Sequence, residues 1–327
     1  MNAFRDDETD DLNRIERSPA MEQVYAMCTH VARGNAAVLL RGERGTGAAT
    51  IARAIHRMSA RAGNPFVTVS WPEVTESFVE NELFGLAGSP ANASHDQGKI
   101  EQAEGGTLFI EEVGDFSPAI QAKLMRCIRE RTFVKPGSTT PQPADVRIIA
   151  ASRQELDRLI EEGRFLKDFC DELSVFTIRI PPLRERKTDI LLLAQHYLRK
   201  HADAAGKPVQ RLSSDAASRL LDYAWPGNLT ELEHCVEHAV LVCPSGVVDL
   251  EHLQPMLQCA EPAPSATEDS LSATLESVER TLIIDALRAS NGNRTKAAQQ
   301  LGITERLMGL RVRKYGIDPR SYRSGTA

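Results

Sequence analysis

The sequence predicts an α/β protein: a parallel sheet with helices on both faces, followed by helical units. Three observations predict it. Short apolar runs of strand length recur between residues 36 and 150, each separated from the next by helix-length sequence, and such alternation requires crossover connections and a parallel sheet. After Pro181-Pro182 the strand signals stop and the pattern turns helical. The charge is also divided. From Glu276 onward there are ten basic and five acidic residues, a surplus of +5 in a chain of net −6, which leaves −11 on residues 1–275. A small basic end on an acidic body places any nucleic-acid contact at the C-terminus.

The elements follow in order. Residues 1–15 are acidic and polar (Asp6, Asp7, Glu8, Asp10, Asp11) and read as a tail. Ala36-Ala37-Val38-Leu39-Leu40 is a buried strand ending at Gly42, and 51–58 is a helix. Phe66-Val67-Thr68-Val69, Thr107-Leu108-Phe109-Ile110 and Val146-Arg147-Ile148-Ile149-Ala150 are further strands. Residues 16–186 therefore form the α/β unit. Residues 187–258 form a helical unit broken at Gly206-Lys207-Pro208 and Trp225-Pro226-Gly227. Residues 259–274, with Pro262, Pro264 and several Ser, Ala and Thr, have linker composition. Residues 275–327 are helical again.

The 327 residues suffice for two or three domains, and 42% hydrophobic with 26% charged is ordinary globular material. No run of 18 apolar residues occurs, which excludes a helical membrane span. The opening Met1-Asn2-Ala3-Phe4-Arg5 has no charged-then-apolar leader, so a cytoplasmic, nucleoid-associated protein without a membrane partner is expected. Six scattered cysteines (28, 127, 170, 235, 243, 259) form no Cys-x-x-Cys pair. They read as reduced thiols, and no metal-ligand cluster is predicted.

Arg41-Gly42-Glu43-Arg44-Gly45-Thr46-Gly47-Ala48-Ala49-Thr50 follows a strand and opens a helix. Backbone N–H groups and a helix N-terminus in that setting cradle phosphates. Gly42, Glu43, Gly45, Thr46, Gly47, Ala48 and Ala49 are the candidate nucleotide contacts. The outer glycines have phosphate-loop spacing, but alanine stands where the lysine belongs and again at the following hydroxyl position.

At the other end, 275–289 carries Leu275, Val278, Leu282, Ile283 and Leu287 at helical spacing, and Asn291-Gly292-Asn293 stops it. Residues 295–301 form a second helix with Ala297, Ala298 and Leu301 inward. Gly302-Ile303-Thr304 is a turn in which Thr304 caps a third helix, 305–315, with Gly316 closing it. The inner face of the third helix is assigned to Leu307, Leu310 and Val312. This is a helix-turn-helix. Its candidate DNA contacts are Thr295, Lys296, Thr304, Glu305, Arg306, Met308, Gly309, Arg311, Arg313 and Lys314. Arginine grips phosphate or reads guanine bidentately.

Further motifs occur in fixed order: Glu82-Leu83-Phe84-Gly85, Gly105-Gly106-Thr107-Leu108-Phe109-Ile110-Glu111-Glu112, Gly163-Arg164-Phe165, Pro181-Pro182-Leu183-Arg184-Glu185-Arg186 and Trp225-Pro226-Gly227-Asn228. Together with the glycine loop they resemble the AAA+ domain of bacterial enhancer-binding proteins, the activators of sigma-54 RNA polymerase, over about residues 16–258. The C-terminus resembles the Fis-type domain of that family, and Arg311-Val312-Arg313-Lys314-Tyr315-Gly316-Ile317 is similar to the nitrogen-fixation activators. The resemblance implies an AAA+ P-loop fold with a helical lid and a Fis-type domain that dimerises on a palindromic DNA site. It also implies a ring-forming body that binds ATP or ADP with Mg²⁺ and meets RNA polymerase. No N-terminal receiver or sensory domain is expected, as in the family's shortest members.

The same resemblance shows where this sequence departs. The phosphate-binding lysine is Ala48, and the Mg²⁺-orienting aspartate is Glu111, while the water-polarising glutamate is retained as Glu112. The asparagine that restrains that glutamate is Ser70, and the sensor pair is Ser152-Arg153. The two arginines that reach a neighbour's ATP are Leu166 and Glu172, and the second sensor arginine is Thr230. The sigma-contacting loop motif is replaced by the polar stretch 86–95. The redox cysteines of some relatives are matched only at Cys235, with Tyr223 and Pro255 at the other spacings. Losing a charge-assisted contact costs about 1.5–3 kcal/mol, and an arginine finger is worth roughly 10³–10⁵ in turnover. Weak nucleotide binding without useful hydrolysis is expected, with Glu112 idle.

Three readings stand. One is a DNA-binding regulator with a non-hydrolysing AAA+ scaffold that self-associates or joins an active homologue. The second is a conventional ATP-driven activator with unusual motifs. The third is a Fis-like architectural protein.

Overall fold

The computed structural model describes residues 15–70, 75–86, 97–244, 246–254 and, with single omissions, 283–317. The chain divides into two compact units, 1–262 and 263–327. Residues 1–14 of the acidic tail, 87–95 of the polar stretch, the linker, Pro255 and helical positions 275–282 lie outside the described residues.

The first unit is built on a five-stranded parallel sheet. Its strands are β1 (Val38–Arg41), β2 (Phe66–Val69), β3 (Thr107–Ile110), β6 (Arg147–Ser152) and β7 (Phe176–Arg179), in the order β2-β3-β6-β1-β7. Alternate residues of the central strands serve two cores. Val38, Leu40, Phe109, Ile149, Ala151 and Ile178 pack with Met21, Val24 and Cys28 of α1 (Pro19–Ala32) and Ile51 and Ile55 of α2 (Ala48–Arg57). Leu39, Leu108, Ile110, Ile148 and Ala150 face α3 (Glu76–Phe84), the short α4 (Lys99–Gln102), α5 (Pro118–Glu130), α6 (Leu156–Glu161) and α7 (Lys167–Leu173). Period two with both faces apolar is what a sheet covered on each side requires.

One charged residue sits inside this sheet. Arg147 is 1% exposed, and its guanidinium donates to the carbonyls of Val31 (2.7 Å) and Ala32 (3.3 Å). It bonds two of the last carbonyls of α1, of which that of Val31 also accepts from Gly34 N at 3.2 Å.

The strands at 66–69 and 107–110 match the sequence reading; those at 38–41 and 147–152 are shifted by one or two residues. Three features escaped it. β7, at the sheet edge, alternates exposed positions with the half-buried Phe176 and the buried Ile178, so it lacks an apolar run. An antiparallel pair, β4 (Thr132–Val134) with β5 (Pro141–Pro143), carries prolines at both ends of its second strand. The expectation that strands stop after Pro182 is corrected by a two-residue parallel pair, β8 (Arg211–Leu212) and β9 (Val247–Val248), too short for any periodicity.

The lid consists of α8 (Lys187–Ala205), α9 (Ser214–Asp222) and α10 (Asn228–Val242), packed through Leu193, Tyr197, Leu220, Trp225, Leu232 and Val236. Its breaks fall where glycine and proline placed them, with Gly206 left-handed at the end of α8. No described helix is long and apolar enough to cross a membrane.

In the second unit, α11 (Arg294–Gln300) and α12 (Glu305–Lys314) pack on Ile283, Ala286 and Leu287. Asn293 Oδ1 accepts from the amides of Thr295 and Lys296, and Thr304 Oγ1 accepts from Leu307 N at 3.3 Å, so both helices begin on side-chain caps.

Candidate functional site

The carboxyl ends of β1, β3 and β6 and the lid enclose a cleft of about 1150 Å³. Gly42, Glu43, Gly45, Thr46, Gly47, Ala48 and Ala49 line it together with Glu111 and Glu112. The structure thus brings every sequence-predicted nucleotide residue to one place. Ser70, Ser152, Arg153 and Thr230 share the same walls. Leu166 and Glu172 do not. Leu166 packs against the core of the sheet, and Glu172 pairs with Arg129 at 2.6 Å.

The loop keeps its shape through its backbone. Gly45 has φ +77°, and a Cβ there would lie 2.3 Å from the carbonyl oxygen of Gly227, so only glycine fits against the lid. Three successive loop carbonyls accept bonds from the lid or the segment leading into it. Asn228 Nδ2 donates to Arg44 O (2.9 Å), Leu229 N to Gly45 O (2.9 Å) and Arg186 Nη2 to Thr46 O (3.0 Å). Arg186 is fully buried and also pairs with Glu16, which Tyr25 bonds as well.

Two predicted contacts have side chains already bonded within the protein. Thr46 is 2% exposed, and its hydroxyl donates to Glu43 O at 2.8 Å. The Glu43 carboxylate takes a bidentate pair from Arg184 at 2.6 and 2.8 Å. Hydrogen bonds from Arg184 hold its pKa below the usual carboxylate value. At the entrance of α2 the N-cap is Gly47, without a side-chain cap and without an acidic residue in the first turn. The helix therefore presents orphan N–H groups to the cleft.

Across the cleft, Glu112 Oε1 accepts from Ser152 Oγ and Oε2 from Arg153 N, each at 3.0 Å. The Arg153 guanidinium lies 3.4 Å from Glu112 and 3.7 Å from Asp115. Burial pushes the Glu112 pKa up, against the lowering effect of these bonds. Mg²⁺ takes near-octahedral oxygen ligands. Position 49 offers a methyl group, Glu111 is exposed, and both Glu112 oxygens are committed. These residues do not fit that ion.

In α12, Thr304, Glu305 and Lys314 are exposed, and Gly309 and Arg311 are half-buried; Thr295 and Lys296 on α11 are exposed. The side chains of Arg306 and Arg313 lie outside the description, as does Gly316. Met308 is corrected. It is completely buried, as is nearly all of Val312, whereas Leu307 and Leu310 are 39% and 55% exposed. The inner face runs through 308 and 312, four apart, and each step along an α-helix turns about 100°. Leu307 and Leu310 therefore fall on the face turned outward. Two apolar leucines in the sequence drew the inner face to the wrong phase.

Sequence reasoning also missed the roles of Asp115, Arg184 and Glu16. Each is an ordinary charged residue whose partner is distant in the chain, and no local pattern marks it. The five described cysteines are buried, and no His/Cys/Asp/Glu group suited to a metal occurs among the described residues.

Residues 14–179 match the Sigma-54 interaction domain, 184–270 the AAA+ ATPase lid domain, and 274–315 the bacterial regulatory protein Fis family. Nitrogen fixation protein AnfA of Azotobacter vinelandii is 40% identical over 95% of this chain and 58% of its own length. VnfA of the same organism is 41% identical over 95% and 60%. The transcriptional regulatory protein ZraR of Escherichia coli is 38% identical over 90% and 67%. The chain thus spans about 60% of the length of the first two relatives. Among solved structures, NtrX from Brucella abortus in complex with ADP is 30% identical with a TM-score of 0.70, covering 92% of this chain and 69% of that one. The ATP complex gives 0.69 at the same identity and coverage.

Proposed function

The chain belongs to the sigma-54 interaction domain family of bacterial transcriptional regulators, and from that premise we propose a sequence-specific DNA-binding regulator whose AAA+ body is a non-hydrolysing scaffold. One observation carries the proposal. The phosphate loop is held in place by lid contacts to its carbonyls, while the positions that would carry charge to a nucleotide are Ala48, Leu166, Glu172 and Thr230. A body that keeps the loop without the chemistry serves assembly: self-association as a dimer or ring, alone or with an active homologue.

DNA contact is assigned to these positions of the helix-turn-helix: Thr295, Lys296, Thr304, Glu305, Arg306, Gly309, Arg311, Arg313 and Lys314. A dimer reads a palindromic site. Nucleotide binding is weak and is carried by backbone N–H groups. The ATP and ADP complexes of NtrX support retention of a nucleotide-shaped cleft. Domain limits at 186, 258 and 274 and a cytoplasmic location complete the reading.

The test is ATP turnover and DNA binding by the purified chain. The expected result is saltable, sequence-specific DNA binding with turnover far below ordinary enzyme rates of roughly 0.1–10 s⁻¹. Turnover in that range identifies a conventional ATP-driven activator instead, and DNA binding without sequence preference identifies an architectural protein.

A further inference from the structure

Arg153 occupies a singular place in the cleft. It follows β6, which lies between β1 and β3 in the sheet. Gly42 N donates to Ser152 O at 3.3 Å, so the backbone carrying Arg153 adjoins the start of the phosphate loop. On its other side stand Glu112 and Asp115 at 3.4 and 3.7 Å. Its side chain remains 46% exposed.

These carboxylates face the same cavity as the amides at the start of α2. Uncompensated, they repel a polyphosphate. A divalent cation would have to displace the guanidinium that already pairs with both. A phosphate would not. Guanidinium carries five N–H donors in a fixed fork, and both contacts here are long ion pairs rather than short hydrogen bonds. The other cations on the cleft walls are placed differently: Arg53 lies over the Phe66 ring at 4.8 Å, and Arg44 belongs to the loop itself.

We propose that the cleft binds nucleoside di- or triphosphates without Mg²⁺, with Arg153 as the phosphate-binding cation in place of both the metal and the missing lysine. The carboxylate of Glu112 competes with the phosphate for this arginine. The inference rests on the reading of the body as a non-hydrolysing scaffold and adds a ligand form and a binding residue to it.

The experiment is calorimetric titration of the full chain with ADP and with ATP, in Mg²⁺ and in EDTA. Expected are dissociation constants that agree within about threefold between the two buffers. Arg153→Ala weakens binding in EDTA by about ten- to a hundredfold, with the melting temperature little changed. Arg153→Lys restores part of it. Glu112→Gln tightens binding severalfold in the parent and leaves it unchanged in the Arg153→Ala background, which a purely structural role would not produce. Mg²⁺ tightening of tenfold or more, or an Arg153→Ala variant that binds like the parent, overturns the proposal. Absence of binding at millimolar nucleotide overturns it too, while leaving the non-hydrolysing regulator intact. Turnover at enzyme rates sinks the scaffold reading, and the EDTA titrations still report on Arg153.

Discussion

Replacing Met308 by alanine will melt the helix-turn-helix, and replacing Leu310 will not. Met308 is completely buried among Ile283, Ala286, Leu287, Ala297, Ala298 and Val312, a core of seven buried residues among those described. Truncating a buried methionine costs about 2–5 kcal/mol, and a unit this small commands only about 3–5 kcal/mol in total. Leu310 is 55% exposed, and its truncation costs within about 0.5 kcal/mol. Amide hydrogen exchange on the intact chain, followed by mass spectrometry over 294–314, separates the two. At 1.4 kcal/mol per tenfold, a loss of about 3 kcal/mol lowers protection roughly a hundredfold for Met308→Ala. Leu310→Ala stays within about threefold of the parent. The reverse order would mean that the helix sits in the phase drawn from the sequence, with Leu307 and Leu310 inside, and would refute the packing described above.

Other outcomes follow from the same geometry. Arg311→Ala and Lys314→Ala should each reduce the slope of log affinity against log salt by about 1 if each meets one phosphate, measured by fluorescence anisotropy on an operator fragment. Asn228→Ala should lower stability by about 2–4 kcal/mol in a thermal melt. It leaves the amide of Leu183 without its 2.7 Å acceptor, frees Arg44 O, and puts alanine at φ +51°. In a Cys259→Ser variant, thiol reagents at pH 8 should label none of the remaining cysteines before unfolding. Burial pushes Cys28 and Cys127 up to about 12 and Cys235 to about 11, and the reactive thiolate is scarce until the pH approaches those values. Rapid labelling of the folded protein would contradict that burial.

The sheet was legible because its strands are apolar on both sides. Leu39 and Leu40 serve opposite cores, so the sequence runs apolar without interruption. The glycine loop was legible because its glycines are demanded by backbone conformation and by the approach of Gly227. β7 was missed because an edge strand needs only one buried residue, Ile178. Glu43, Thr46 and Met308 were placed at contact positions by motif spacing, which fixes where a residue stands but not where its side chain turns. Arg184, 141 residues from Glu43, took that carboxylate, and no short-range pattern reports so distant a partner.

The retained loop and the lost lysine are compatible because they depend on different atoms. What holds the loop is a set of carbonyls at 44, 45 and 46, bonded to Asn228, the amide of Leu229 and Arg186. Backbone groups at those positions are the same whatever side chain stands at 48. A lysine there would point into the cleft and contribute to ligand binding, and its replacement by alanine leaves the three carbonyl bonds of the loop in place. Alanine is also the better helix former at the start of α2. The same reasoning separates Arg186 from Arg153. Arg186 is buried and bonded to the loop, so its loss would disturb the fold. Arg153 is half exposed and bound to carboxylates that a metal would otherwise meet, so its loss should change what the cleft accepts while the fold remains.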